Sequence, residues 1–151
     1  GPGVTAVLSM IALLFQALLL AHGGITTLGA NTISMGIIGP VVGYVLWKTL
    51  SKARVPASAG VFAAVALSDL ITYIVTAFEL AIAFPTSAGI LDSASKFLAI
   101  YAITQIPLAI GEGILAVFLF DFIAKYKSHL LSALKVIKLP GSENKQEATK
   151  Q

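Results

Sequence analysis

The side chains in this sequence able to do chemistry fall in two places. One is the stretch AHGGITTLGANTISMGIIGP (21–40), which holds His22, the only histidine in the apolar body of the chain. Around it stand Gly23, Gly24, Gly29, Thr26, Thr27 and Asn31, with no Lys, Arg, Asp or Glu. Glycine lets a backbone turn tightly and approach a neighbour closely, and hydroxyl and amide groups supply neutral hydrogen bonds. Such a segment is suited to pack inward at a membrane surface; the plainer alternative is a glycine-rich turn with an incidental histidine. The other place is a set of polar residues inside apolar runs, Asp69, Glu79, Gln105 and Glu112. A charged carboxyl at bilayer depth costs about 2.5–3.5 kcal/mol on insertion scales, so each must be partnered, hydrated or protonated. Two roles are open to them: a path for protons or cations, or hydrogen bonding between helices.

Other chemistry is excluded by what the sequence lacks. It has no cysteine, so disulfides, thiolate metal sites and cysteine nucleophiles are absent. The two histidines, His22 and His129, stand far apart, so neither HxxxH nor HExxH occurs. There is no GxxxxGK[ST] phosphate loop, and no Ser/His/Asp arrangement that would suggest a membrane enzyme. A metal site built from this chain alone would be poor, and none is assigned within it. The net charge of +3 gathers at the C-terminal end, which speaks to membrane orientation and not to nucleic acid.

The elements that hold these residues are membrane helices. In 151 residues the chain is 57% hydrophobic and 11% charged, far more apolar than a water-exposed domain of that length. An all-α, polytopic transmembrane helix bundle with four spans is expected, at about 4–21, 32–50, 57–84 and 98–122, forming a membrane domain over 1–124. In the second span Gly39 and Gly43 make a small-xxx-small pair for close helix approach, and Pro40 invites a kink. Tyr44 and Trp47 suit the interface near its end. The third span puts Asp69, Thr72, Tyr73, Thr76 and Glu79 on one helical face, which must look toward protein or water. Residues 85–96 read as a small, polar loop. The fourth span carries Tyr101, Thr104, Gln105, Pro107 and Glu112. Counting 1.5 Å per residue from Ala57 and from Phe122 sets Asp69 and Glu112 each roughly 15–18 Å above the same face, in one layer. Residues 125–138 read as a basic amphipathic helix lying in the interface, with His129 on its surface, and 139–151 as a disordered polar tail.

Charge orients the spans. Nine of the ten Lys and Arg lie in 48–54 or after Phe122, and Lys96 lies on the other side. The positive-inside rule then places the C-terminus in the cytoplasm and His22 to Asn31, with residues 85–96, outside.

LLFQALLLAHGGITTLGANTISMGIIGP (13–40), with QIPLAIGEGIL (105–115) in the last span, resembles the CbiM/NikM family of substrate-specific membrane components of energy-coupling-factor transporters for cobalt and nickel. The resemblance covers the chain to about Ile123. It implies capture of Co2+, or alternatively Ni2+, as transported substrate, with no covalently bound cofactor. ATP hydrolysis would fall to cytoplasmic ATPase partners, joined by a transmembrane coupling protein and a small accessory membrane protein in a prokaryotic plasma membrane. The cobalt would feed cobalamin synthesis. In the family the metal is held near the outer face by nitrogen ligands: the N-terminal amine, the backbone and imidazole of a His after the initiator Met, and a second His. Imidazole and amide nitrogens suit both metals. The Met-His start is absent here, and the second ligand is expected just before Gly1, so roughly the first 60 residues of a family member are expected to be missing. His22, Gly23, Gly24 and Asn31 then take outer-loop places beneath the metal cap, not ligand places. The rival reading from the residues is a secondary cation transporter that uses the intramembrane carboxylates.

Overall fold

A computed structural model of the chain describes residues 1–20 and 23–133, and among them every named element is a helix. Helix α1 is Pro2–Leu19, with Pro2 in the first turn, where its missing N–H costs nothing. A short α2, Leu28–Asn31, leads through a π-helical segment, Thr32–Ile38, into α3, Gly39–Lys52. Helix α4 is Ala57–Ala83, α5 is Ile90–Tyr126 and α6 is Ser128–Ala133. Four helical runs, Pro2–Leu19, Leu28–Lys52, Ala57–Ala83 and Ile90–Tyr126, are long and apolar enough to cross a membrane.

The π-helical segment has a cause in the sequence. Pro40 has no N–H, and its ring crowds the carbonyl four residues earlier. The wider turn before it relieves that crowding, and Gly39 N–H bonds the Ser34 carbonyl five residues back.

Helices in lipid gain no hydrophobic drive toward one another, so they associate through close packing. The buried residues are accordingly mostly small: Ala64, Ala66, Ala77, Ala81, Ala94, Ala109, Ser34, Thr72 and Ser93, with Leu13 and Leu131 the large ones among the described residues. The bundle is a row in which α4 lies between α3 and α5, while α1 packs on the π segment. Gly39 and Gly43 bring α3 onto α4, as their spacing predicted. A Cβ at Gly43 would lie 3.1 Å from Ser68 Cβ and 3.2 Å from the Ala64 carbonyl, and one at Gly39 would overlap the Thr72 hydroxyl. Two further glycines receive rings. Trp47 lies over Gly60, 3.1 Å from where a Cβ would be, and Phe62 lies over Gly113 at 2.8 Å. Large apolar side chains on α1 such as Leu8, Phe15 and Leu18 stay exposed, as lipid-facing groups do.

Two expectations change. Residues 85–96 are not all loop: α5 begins at Ile90, after a tight turn in which Gly89 N–H bonds the Thr86 carbonyl at 2.9 Å. Gly89 has φ 109°, a conformation that favours glycine. Asp92 occupies the first helical turn, where a negative charge is favourable. There it takes hydrogen bonds from Thr86 at 2.6 Å and Lys96 at 2.7 Å, while the Ser93 hydroxyl donates to the Phe84 carbonyl at 2.7 Å. Helix α5 also runs on to Tyr126, so residues 125 and 126 belong to it and α6 starts at Ser128. At 37 residues it is about 55 Å long, well beyond a hydrocarbon core of about 30 Å. His129 lies exposed on α6, while the rest of the expected amphipathic helix beyond residue 133, and the tail at 139–151, lie outside the described residues.

Replacing Gly43 by Leu is expected to destabilise the bundle by about 1–3 kcal/mol, because the obstacle is backbone that cannot move aside. Gly111, whose Cβ would meet nothing within 4 Å, should accept Ala without loss. Thermal unfolding of the two variants in detergent, each against the parent, measures the contrast.

Candidate functional site

The polar stripe of α4 meets its neighbours at three levels. At the middle, the Thr72 hydroxyl lies 2.9 Å from the Ser68 carbonyl of its own helix and 3.3 Å from the Ser34 carbonyl of the π segment. That side chain is 6% exposed, so the contact is sheltered from competing water. Toward the C-terminal end of α4, Glu79 lies beside the Ser34 hydroxyl, and its Oε2 is buried without a hydrogen-bond partner among the described residues. Toward the N-terminal half, Asp69 opens onto a cleft of about 450 Å³.

That cleft has both polar and apolar walls. Thr5 of α1, Met35 of the π segment, Pro40, Gly43 and Tyr44 of α3, Ser68, Asp69, Thr72 and Tyr73 of α4, and Glu112 of α5 line it. Asp69 and Glu112 therefore share one layer, as helix-rise counting indicated. Among the described residues Asp69 Oδ2 is buried without a hydrogen-bond partner, and the lining holds no Lys or Arg. The cleft offers oxygen acceptors and hydroxyls in a low-dielectric wall, which suits a cation, a proton or a donor side chain. Gln105 does not join it. It lines an adjoining, almost wholly apolar cavity of about 290 Å³ with Leu70, Tyr73, Ile74, Tyr101 and Ile106. Tyr73 borders both cavities, and its ring lies 5.4 Å from that of Tyr101. The Gln105 amide donates to Thr104 at 3.3 Å, while its Oε1 is buried without a partner among the described residues.

The connector forms a second polar unit. Gly23 and Gly24 have φ of 81° and 71°, backbone that glycine adopts without strain. The Asn31 amide donates to Thr27 Oγ1 at 3.4 Å, and the Thr27 hydroxyl donates to the Gly24 carbonyl at 3.2 Å. A Cβ at Gly23 would lie 2.6 Å from Asn31 Nδ2, so the Asn31 side chain would have to move and give up its bond to Thr27. Gly23, Gly24 and Asn31 thus come together, and His22 lies outside the described residues.

Sequence reading missed three polar groups. Ser34 was passed over as one serine in an apolar run, although it is fully buried. Ser58 and Asp121 join the ends of α4 and α5 through a 3.0 Å hydrogen bond across 63 residues, which no local pattern announces. Among the described residues no group of three or more His, Cys, Asp or Glu is arranged to hold a metal ion.

Four helical runs long and apolar enough to cross a membrane, with an open, partly polar cleft between them, define a multi-pass membrane protein. Residues 1–130 match the CbiM family, described as the cobalt uptake substrate-specific transmembrane region, and the chain belongs to that family. A protein named CbiM from Archaeoglobus fulgidus is 56% identical over 138 residues, 89% of this chain and 63% of its own length. The cobalt transport protein CbiM of Carboxydothermus hydrogenoformans is 56% identical over 127 residues, 84% of this chain and 52% of its own. That of Salmonella typhimurium is 53% identical over 126 residues, 83% and 51% respectively. The chain therefore spans about half to three-fifths of the length of these relatives.

Gly23→Ala is expected to strain the connector twice, through its positive φ and through the contact with Asn31, at a cost of about 1–2 kcal/mol. Adding Asn31→Ala should return only the steric part. Proteolysis rates at the connector, measured for the single and double variants, report the difference.

Proposed function

We propose that this protein is the membrane substrate-capture component of an ATP-driven uptake system for Co2+. The observation that carries the reading is the family match over residues 1–130, with relatives more than half identical that are named cobalt transport proteins. Ni2+ is the alternative substrate within the same class of chemistry, since both ions favour nitrogen ligands.

In this reading the bundle is the frame and the metal is caught at its outer face by nitrogen ligands that are not among the described residues. The connector, with His22, Gly23, Gly24 and Asn31, takes the place below that cap; no ligand role is given to His22. Its hydrogen bonds from Asn31 through Thr27 to the Gly24 carbonyl support the assignment, because a ligand cage needs neighbours that hold its geometry. The sequence contains no phosphate loop of the GxxxxGK[ST] type. ATP is accordingly hydrolysed by cytoplasmic ATPase subunits acting through a transmembrane coupling protein, with a small accessory membrane protein completing the assembly. Such a protein is a transport component and not an enzyme, it sits in a prokaryotic plasma membrane with its C-terminus inside, and its cobalt feeds cobalamin synthesis. The transmembrane domain extends over about 1–124.

The same reading gives the intramembrane groups a supporting role. Asp69, Glu79, Gln105 and Glu112 hold polar contacts within the assembled membrane complex, consistent with three of them having a buried oxygen unpaired among the described residues. A carboxylate relay working without ATP is the competing use of the cleft.

Uptake of radiolabelled Co2+ by cells or vesicles carrying the full-length protein and its ATPase partners tests the proposal. Uptake should require ATP, and excess unlabelled Ni2+ should compete weakly. Glu112→Gln should leave the ATP requirement and the pH dependence intact, with any loss traceable to lower protein abundance. Uptake that persists without ATP, and that Glu112→Gln abolishes together with its pH dependence, would instead establish the relay.

A further inference from the structure

The turn between α3 and α4 carries a conformational cost that its fold does not require. Helix α3 ends in a paired cap: Val55 N–H bonds the Leu50 carbonyl at 3.1 Å, and Arg54 N–H bonds the Ser51 carbonyl at 3.3 Å. That pattern needs a left-handed residue at Arg54, the position where glycine is usual. Arg54 has φ 59°, and it is the one non-glycine residue with positive φ among the described residues. Glycine would form the same cap without strain.

The side chain is therefore kept for something beyond the cap. Arg54 is exposed, and among the described residues its guanidinium has neither an acidic partner nor a hydrogen bond. Lys48 and Lys52, also exposed, stand one helical turn apart on the face that begins with Tyr44, and the Lys48 ammonium lies 5.7 Å from the Tyr44 ring. Asp121 is the acidic side chain at this end among the described residues, and it is engaged by the Ser58 hydroxyl at 3.0 Å. Below them Trp47 is held between Gly60 and Phe120, its ring 6.1 Å from that of Phe120. Such an indole marks the edge of the hydrocarbon. Lys52 lies five residues further along, about 7.5 Å by helix rise. The headgroup layer of one leaflet is about 5–8 Å thick, so Lys48 and Lys52 fall within it, and Arg54 follows them at the turn.

The geometry points to a binding site for the phosphate of an anionic phospholipid, formed by Lys48, Lys52 and Arg54 at the α3–α4 turn. Arg54 supplies a planar fork suited to two phosphate oxygens, and the two lysines supply point charges on flexible stems. The left-handed cap turns the chain back at the membrane surface and holds Arg54 in the loop between the two helices. No step of metal capture enters this inference.

Native mass spectrometry of the full-length protein, given phosphatidylglycerol and phosphatidylcholine of equal chain length, tests it. The parent should retain phosphatidylglycerol preferentially. Arg54→Gly should reduce that preference roughly fivefold, the effect of one cation near an anionic surface, while raising the melting temperature in detergent. Lys48→Gln with Lys52→Gln should reduce it further, and Lys96→Gln, at the opposite end, should not. Equal retention of the two lipids, an Arg54→Gly variant that melts below the parent, or displacement of the lipid by millimolar inorganic phosphate would each overturn the assignment, the last by identifying a site for free anions.

Discussion

At the middle of the bundle one hydroxyl touches two helices at once. Thr72 reaches the Ser68 carbonyl of α4 and the Ser34 carbonyl of the π segment, and Gly39 lies so close that no side chain would fit there. The arrangement depends on Pro40, which prevents an ordinary α turn and widens the helix just before it. In hydrocarbon a polar group without a partner is costly, and no water is at hand to supply one. A threonine can sit here because the neighbouring backbone carbonyls accept its proton. The close approach of α3 to α4, and with it the position of the whole α4 polar stripe, follows from that contact.

The cleft is the other side of the same packing. Because α4 lies between α3 and α5, its Ser68 and Thr72 face the glycines of α3 while Asp69 and Tyr73 turn toward Glu112. Small residues at the contact bring the backbones together, and the larger polar side chains beside them are left to line a space. The oxygens of Asp69, Glu79 and Gln105 that have no partner among the described residues are all acceptors. What completes them must bring a proton or a positive charge.

The two ends of the bundle differ in how their charge is handled. At the end with the connector, Asp92 takes hydrogen bonds from both Thr86 and Lys96, and the connector itself is a chain of neutral hydrogen bonds from Asn31 to Gly24. Both turns close on themselves. At the other end the α3–α4 turn leaves Lys48, Lys52 and Arg54 outward, without acidic partners among the described residues. One end is built to hold its shape and the other to meet a charged surface.

By itself the sequence determined the class of the protein, its four apolar helical runs and the close-packing role of Gly39 and Gly43. These are local consequences of composition, hydropathy and residue size, which act within a helix or along one face of it. The shared layer of Asp69 and Glu112 was also legible, since rise per residue is constant and the two helices run in opposite directions. The start of α5 at Ile90 was not, because Asp92 and Ser93 look like loop residues until their partners Thr86, Lys96 and the Phe84 carbonyl are seen around them. Gln105, seven residues before Glu112, shares its helical face but stands about 10 Å away along the axis, and so lines the adjoining cavity. Tertiary structure alone paired Ser58 with Asp121 and buried Ser34, because both depend on which helix lies opposite. It alone also revealed Arg54 in a left-handed cap, since a dihedral angle leaves no mark on composition.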